Sequence, residues 1–149
     1  MKTSELIGPA LDWAVAKCEG LKECMVFGRG SVKDSGFAVP NTNGGYKPVL
    51  LKCVHDKWYK RCDGYPWGRD QVIWQPSTDW SQGGPIIERE RIQVFPHNGA
   101  SEWCGVIHVP RDGYTGILTQ DGPTPLIAAM RCYCYGKLGD EVKIPKELL

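Results

Sequence analysis

The stretch from Thr124 to Gly139 constrains the fold more than any other part of this sequence. Thr124 supplies an N-cap oxygen, Pro125 takes the first helical position, where a missing N–H costs nothing, and Gly139 stops the helix. Between them, Leu126 to Leu138 is apolar almost all the way round, with only Arg131 and Lys137 charged. A helix without a polar face has to be covered on nearly every side. The rest of the chain must therefore build a shell around this segment. With 149 residues, 42% of them hydrophobic and 23% charged, it has the material for one core.

Two further segments read as helices. In the first, Thr3 is placed to cap, Ile7, Leu11, Ala14, Val15 and Cys18 recur at helical spacing, and Gly20 offers a left-handed stop. Gly8-Pro9 interrupts its start, so the regular helix begins near Pro9. The second starts at Ser77 or Thr78, with Asp79 favouring the positive end of the helix. There Gly83-Gly84-Pro85 either ends one short turn, with a new helix from Pro85, or kinks a helix that runs to about Arg91.

Strand patterns fall at Cys24–Phe27, Phe37–Val39, Val49–Val54, Val72–Trp74, Ile92–Phe95, Trp103–Val109, Gly116–Leu118 and Val142–Ile144. Arg111-Asp112-Gly113-Tyr114 between two apolar runs is a hairpin turn. This predicts an α+β fold: an antiparallel or mixed sheet packed with about three helices in a single compact domain.

Charge narrows the function classes. Lys plus Arg number 18 against 17 Asp plus Glu, a net charge of +1, which excludes coating nucleic acid or an anionic membrane through bulk charge. No apolar run approaches the roughly 20 residues of a membrane helix, and Glu5 stands where a signal peptide would turn apolar. The expectation is a soluble protein that stays where it is made. The seven cysteines (18, 24, 53, 62, 104, 132 and 134) are odd in number and without a regular framework, as reduced thiols would be. Cys53-Val54-His55 with Cys62 lacks the paired spacing of a zinc site, so no metal or other cofactor is expected.

Three blocks carry a resemblance. Met1-Lys2-Thr3-Ser4-Glu5-Leu6, running into Ala10-Leu11-Asp12-Trp13-Ala14-Val15-Ala16-Lys17-Cys18-Glu19-Gly20, is one. Pro76-Ser77-Thr78-Asp79-Trp80 with Gln82-Gly83-Gly84-Pro85-Ile86-Ile87-Glu88 is the second, and Gly122-Pro123-Thr124-Pro125-Leu126-Ile127-Ala128-Ala129-Met130 the third. Together, in this order, they resemble the phage NinX-like family of small proteins, which is similar to a broader set of phage domains with an α-β-α sandwich. The resemblance implies a phage-encoded protein acting in the host bacterial cytoplasm, and it supplies no catalytic residues. Residues 21–70 read as an enlarged insert relative to shorter members.

Candidate site residues follow from chemistry. Ser77, Thr78 and Gln82 set hydrogen-bonding groups beside a helix start, where a ribose or base edge could meet Asp79 and Gln82 while Trp80 stacks. A phosphate at that start would compete with Asp79. The structural alternative is a helix cap, with the glycines allowing close packing on a neighbour. Among six tryptophans, Trp13 and Trp80 lie in helical patterns and read as core, whereas Trp58, Trp67 and the cations Lys47, Lys52, Lys57, Lys60, Arg61 and Arg69 interleave as they would to hold phosphates and stacked bases. Such a pattern also suits a soluble strand edge. His108 alternates within an apolar strand and reads as structural, whereas His97 falls on a loop.

A hydrolase would need Cys104 or Cys62 as nucleophile and His97 or His55 as base. No nucleophile elbow, phosphate loop or dinucleotide fingerprint accompanies them. The reading that emerges is a non-enzymatic phage accessory protein that binds, and thereby sequesters, a small nucleotide-like ligand to counter host defence. Its candidate site comprises Trp67, Arg69, Ser77, Thr78, Asp79, Trp80, Gln82, His97 and Trp103, with a homo-oligomer enclosing the pocket. A protein- or nucleic-acid-interaction module using residues 47–69 is the alternative; nucleic acid is the less favoured partner and a small hydrolase the third reading.

Overall fold

The computed structural model describes residues 1–21, 25–26, 39–40, 46–47, 50–53, 71–97, 101–111 and 114–148. These form three α-helices, α1 (Gly8–Cys18), α2 (Trp80–Glu90) and α3 (Pro125–Leu138). Five short strands lie between α1 and α2: β1 (Met25–Val26), β2 (Val39–Pro40), β3 (Tyr46–Lys47), β4 (Leu50–Cys53) and β5 (Gln71–Ile73). Three more lie between α2 and α3: β6 (Gln93–Pro96), β7 (Trp103–Arg111) and β8 (Tyr114–Gly122). The sheets are antiparallel, in the orders β1-β4-β5, β2-β3 and β6-β7-β8. The α+β class holds.

The expectation for α3 is met in every part. Thr124 caps through its side chain, accepting from the Ile127 amide at 3.2 Å, and Pro125 leads. Leu126 to Met130 and Cys132 to Cys134 are buried. The helix lies across β7 and β8 and is flanked by α1 and α2. Two glycines let it come that close. A Cβ on Gly105 would sit 2.7 Å from the Ala128 carbonyl oxygen, and one on Gly122 would sit 2.6 Å from the Ala128 amide nitrogen. Backbone cannot move aside for either, so the helix rests directly on the strands.

β7 and β8 pair antiparallel as far as Arg111 and Tyr114, while the turn read at Asp112-Gly113 lies outside the described residues. β8 is longer than the Gly116–Leu118 pattern, because pairing with β7 carries it through the polar residues Thr119, Gln120 and Asp121. Val142–Ile144 forms no named strand. The chain there pairs with the first residues instead, through a Lys2–Glu141 bridge and a bond from the Val142 amide to the Met1 carbonyl at 3.0 Å.

Both helix starts other than that of α3 differ from expectation. Thr3 does not cap α1. It lies fully buried in a 3-10 turn (Thr3–Glu5), donating from its amide to the Asp140 carbonyl at 2.7 Å and from its hydroxyl to that of Gly139 at 2.6 Å. The end of α3 has claimed the side chain the cap would have used. In α2 the cap is Asp79, not Ser77 or Thr78, and one helix runs unbroken through Pro85. Pro85 leaves the carbonyl one turn earlier, on exposed Ser81, without an amide partner, and water can supply one. The helix ends as Arg91 turns left-handed (φ 54°), with the Ile92 amide reaching back to the Ile87 carbonyl at 3.0 Å.

Among the described residues the helices cover one face of the β6-β7-β8 sheet. The opposite face, where an α-β-α sandwich would place its second helical layer, presents exposed Phe95, His108, Ile117 and Thr119. His108, read as structural, thus points to solvent, since only alternate residues of β7 turn towards α3.

Candidate functional site

The connection from β5 into α2 is held from beneath by α1. The Trp74 indole donates to the Asp12 carbonyl at 2.9 Å, and the Ser77 amide donates to the Asp12 carboxylate at 2.8 Å. Asp12 and Ser77 are both buried. Burial pushes the Asp12 acid up to about 6 from its ordinary 3.8, against the opposing pull of the Ser77 amide and hydroxyl. That hydroxyl lies close to the acid but makes no hydrogen bond of its own among the described residues. Ser77 is thus held, buried, against Asp12 of α1.

Its neighbours are occupied with shaping the helix start. The Thr78 and Asp79 amides donate to the Gln75 carbonyl at 3.0 and 2.9 Å. The Asp79 carboxylate accepts from the Ser81 amide at 2.8 Å and its hydroxyl at 2.7 Å, and the Gln82 side-chain oxygen accepts from the Gln75 amide at 2.8 Å. Gly83 lets this knot press on α3: a Cβ there would meet the Pro76 carbonyl oxygen at 2.4 Å and the Leu126 side chain at 2.6 Å. The capping-and-packing alternative thus accounts for Asp79, Gln82 and Gly83 structurally. Trp80 is left over. Read from the sequence as core, it is 57% exposed: it is the first residue of α2, and its ring lies towards Gly84 one turn on, where a Cβ would meet it at 4.0 Å.

Contacts bring other candidates to the same end of the molecule. Gly83 touches Leu126 at the start of α3, Gly122 touches Ala128, Trp103 pairs with Gly122, and Pro96 pairs with Trp103. The starts of α2 and α3 and the β6–β7 connection therefore share one end. His97 is exposed there, its amide bonded to the Glu102 carbonyl at 2.9 Å, and Trp103 is half-buried. Trp67 and Arg69, with the other cations and aromatics of residues 54–70, lie outside the described residues, as do Cys62 and His55.

The catalytic alternative gains nothing from Cys104. Burial, and then Asp121 beside it, push its thiol up, so a thiolate nucleophile is disfavoured. Burial likewise pushes Cys132 up to about 12, and a hydrogen bond with Cys18, then burial, pushes Cys134 well above the usual thiol range. No cluster of three or more His, Cys, Asp or Glu side chains that could hold a metal occurs among the described residues.

A second polar group went unnoticed in the sequence. Glu19, just after α1, accepts from the Tyr133 hydroxyl at 2.7 Å and from both terminal nitrogens of Arg89, while Arg89 and Lys137 reach Glu90. It ties the three helices together. Only the odd placing of an acid beyond an apolar helix could have hinted at it. A cavity of about 340 Å³ at the far end of α3, lined by Val109, Leu118, Tyr135 and Gly136 among others, also stands apart from the candidate site.

Fold and site together define a small α+β protein wrapped around one apolar helix, with a capped helix start at one end. Residues 2–137 match the family described as Bacteriophage P22, NinX, and the chain belongs to that family. It is thus a bacteriophage protein. No helix among the described residues is long and apolar enough to cross a membrane. No curated protein is similar enough to the chain to match it.

Proposed function

We propose that this phage protein binds a small nucleotide-like molecule at the end where α2 and α3 begin, holds it without turning it over, and so withdraws it from a host defence response in the bacterial cytoplasm. The observation that carries this reading is Trp80. Its indole stands 57% exposed at a helix start whose neighbouring polar groups are already fixed in place, whereas Trp74 is buried and Trp13 and Trp103 are half-buried. A large flat apolar ring on a rigid support is costly to leave in water and suits the face of a base. The adjacent starts of α2 and α3 add positive dipole ends for an anionic ligand. His97 and Trp103 lie at the same end and complete the proposed wall. The pocket is enclosed by a homo-oligomer in this reading.

Isothermal titration of the full chain with adenine and guanine mononucleotides and cyclic nucleotides tests it. Stoichiometric binding of one of them, recovery of the ligand unchanged, and loss of binding in Trp80→Ala with an unaltered melting curve are the expected results. Binding that Trp80→Ala leaves intact would refute the site. Conversion of the nucleotide would replace the reading with an enzymatic one.

A further inference from the structure

The two edges of the β6-β7-β8 sheet are built differently. The β6 edge is four residues long and ends in Pro96, which cannot donate to a neighbouring strand. The β8 edge is nine residues long, without proline, lysine or arginine, and among the described residues no strand pairs with it. An unpaired edge of that length normally carries a charge or a proline that discourages pairing. The single charge of β8, Asp121, stands at its far end; before it come Thr115, Ile117 and Thr119, all exposed, and Ile117 at 63% is the most exposed of the large apolar residues described.

Two hydrogen bonds fix which backbone groups face outward. The His97 amide bonds the Glu102 carbonyl, which sets the even-numbered residues of β7 towards β6 and the odd-numbered ones towards β8. Their partners Gly116, Leu118 and Gln120 therefore spend their backbone groups on β7, leaving those of Thr115, Ile117 and Thr119 at the open edge. Asp121 fits the same phase: its carbonyl is taken from outside the sheet by Arg131 at 2.8 Å, while the Arg131 Nε holds Leu6. Arg131 thus closes the edge at Asp121, and residues 114–120 stay open.

We infer that this edge joins a second copy of the chain, β8 to β8 and antiparallel, about a two-fold axis at Ile117. Turned about that residue, the open segment complements itself. Ile117 meets Ile117 of the copy, Thr115 meets Thr119 in both directions, and about six backbone hydrogen bonds close the gap. Pairs of β-branched residues and of threonines are favourable cross-strand neighbours, and no like charges oppose each other within 114–120. This interface rests on the sheet alone and does not depend on the ligand reading.

Sedimentation velocity of the full chain over a dilution series tests it. Wild type should sediment at twice the chain mass. Ile117→Lys and Ile117→Glu, each placing like charges on the axis, should each weaken the dimer about 100-fold or more, with unchanged circular dichroism. An equimolar mixture of the two should sediment as a dimer again. If Ile117→Lys fails to fold, Thr115→Lys with Thr119→Lys in one chain and Thr115→Glu with Thr119→Glu in another give the same comparison, since positions 115 and 119 face each other. A wild type that is monomeric throughout, a dimer indifferent to both Ile117 variants, or a mixture that stays monomeric would overturn the assignment.

Discussion

Replacing Asp12 by asparagine should stabilise this protein at neutral pH and do almost nothing in acid. Asp12 is buried between α1 and the β5–α2 connection, and burial lifts its acid from 3.8 to about 6. Below pH 3.8 the group is protonated whether the chain is folded or unfolded. Between 3.8 and about 6 the unfolded chain releases the proton while the folded chain retains it, so stability falls as pH rises. Above about 6 both states are ionised and the loss is complete. At about 1.4 kcal/mol per pH unit the gap corresponds to about 3 kcal/mol. Asparagine keeps an oxygen for the Ser77 amide and has no charge to bury. Urea unfolding of both proteins, from about pH 4 to about pH 8, gives the difference curve, in which the other carboxylates cancel. The curve should start near zero, rise through about pH 5 and level off above about pH 7 with the variant more stable. A flat difference, or a variant less stable at the alkaline end, would refute the claim that Asp12 is ionised at the expense of the fold.

Three further outcomes follow from packing and capping. Gly105→Ala and Gly122→Ala each drive a methyl into the backbone of α3 and should cost about 3 kcal/mol or more, read as a lower thermal midpoint. Arg91→Gly should raise stability by about 1 kcal/mol in urea unfolding, because glycine adopts the left-handed φ of 54° without strain. Tyr133→Phe removes one donor from Glu19 while Arg89 stays in place, and should lower stability by about 1 kcal/mol.

How much of the fold could be read in the sequence depended on how local its determinants were. Every signal for α3 lies within it or beside it: Thr124, Pro125, the apolar run and Gly139. Thr3 and Ser77 have the right chemistry to cap, yet residues 136 and 65 positions away have engaged them, Gly139 in one case and Asp12 in the other. No rule of spacing anticipates that. β8 was underestimated for a related reason. Its polar residues carry weak strand preference, and the long register with β7 decides the matter. The candidate site divides in the same way. Residues 77–82 were found because a helix start has a sequence signature, but which of them is exposed depends on where Gly83 meets α3.

Trp80 and Ile117 are the two large apolar side chains most exposed among the described residues, and they occupy different parts of the structure. Trp80 stands on a helix start, flanked by side chains that have completed their hydrogen bonds, so a partner there would meet an aromatic face and little free polarity. Ile117 stands mid-strand on an edge whose backbone groups are turned outward, so a partner there must bring a strand. One surface suits a flat ring and the other a polypeptide, and each residue can be replaced without disturbing the core. Trp80→Ala should therefore abolish nucleotide binding and leave the sedimenting mass alone, while Ile117→Lys should halve the mass. Whether Ile117→Lys also weakens binding distinguishes a pocket complete within one chain from one that the second copy encloses.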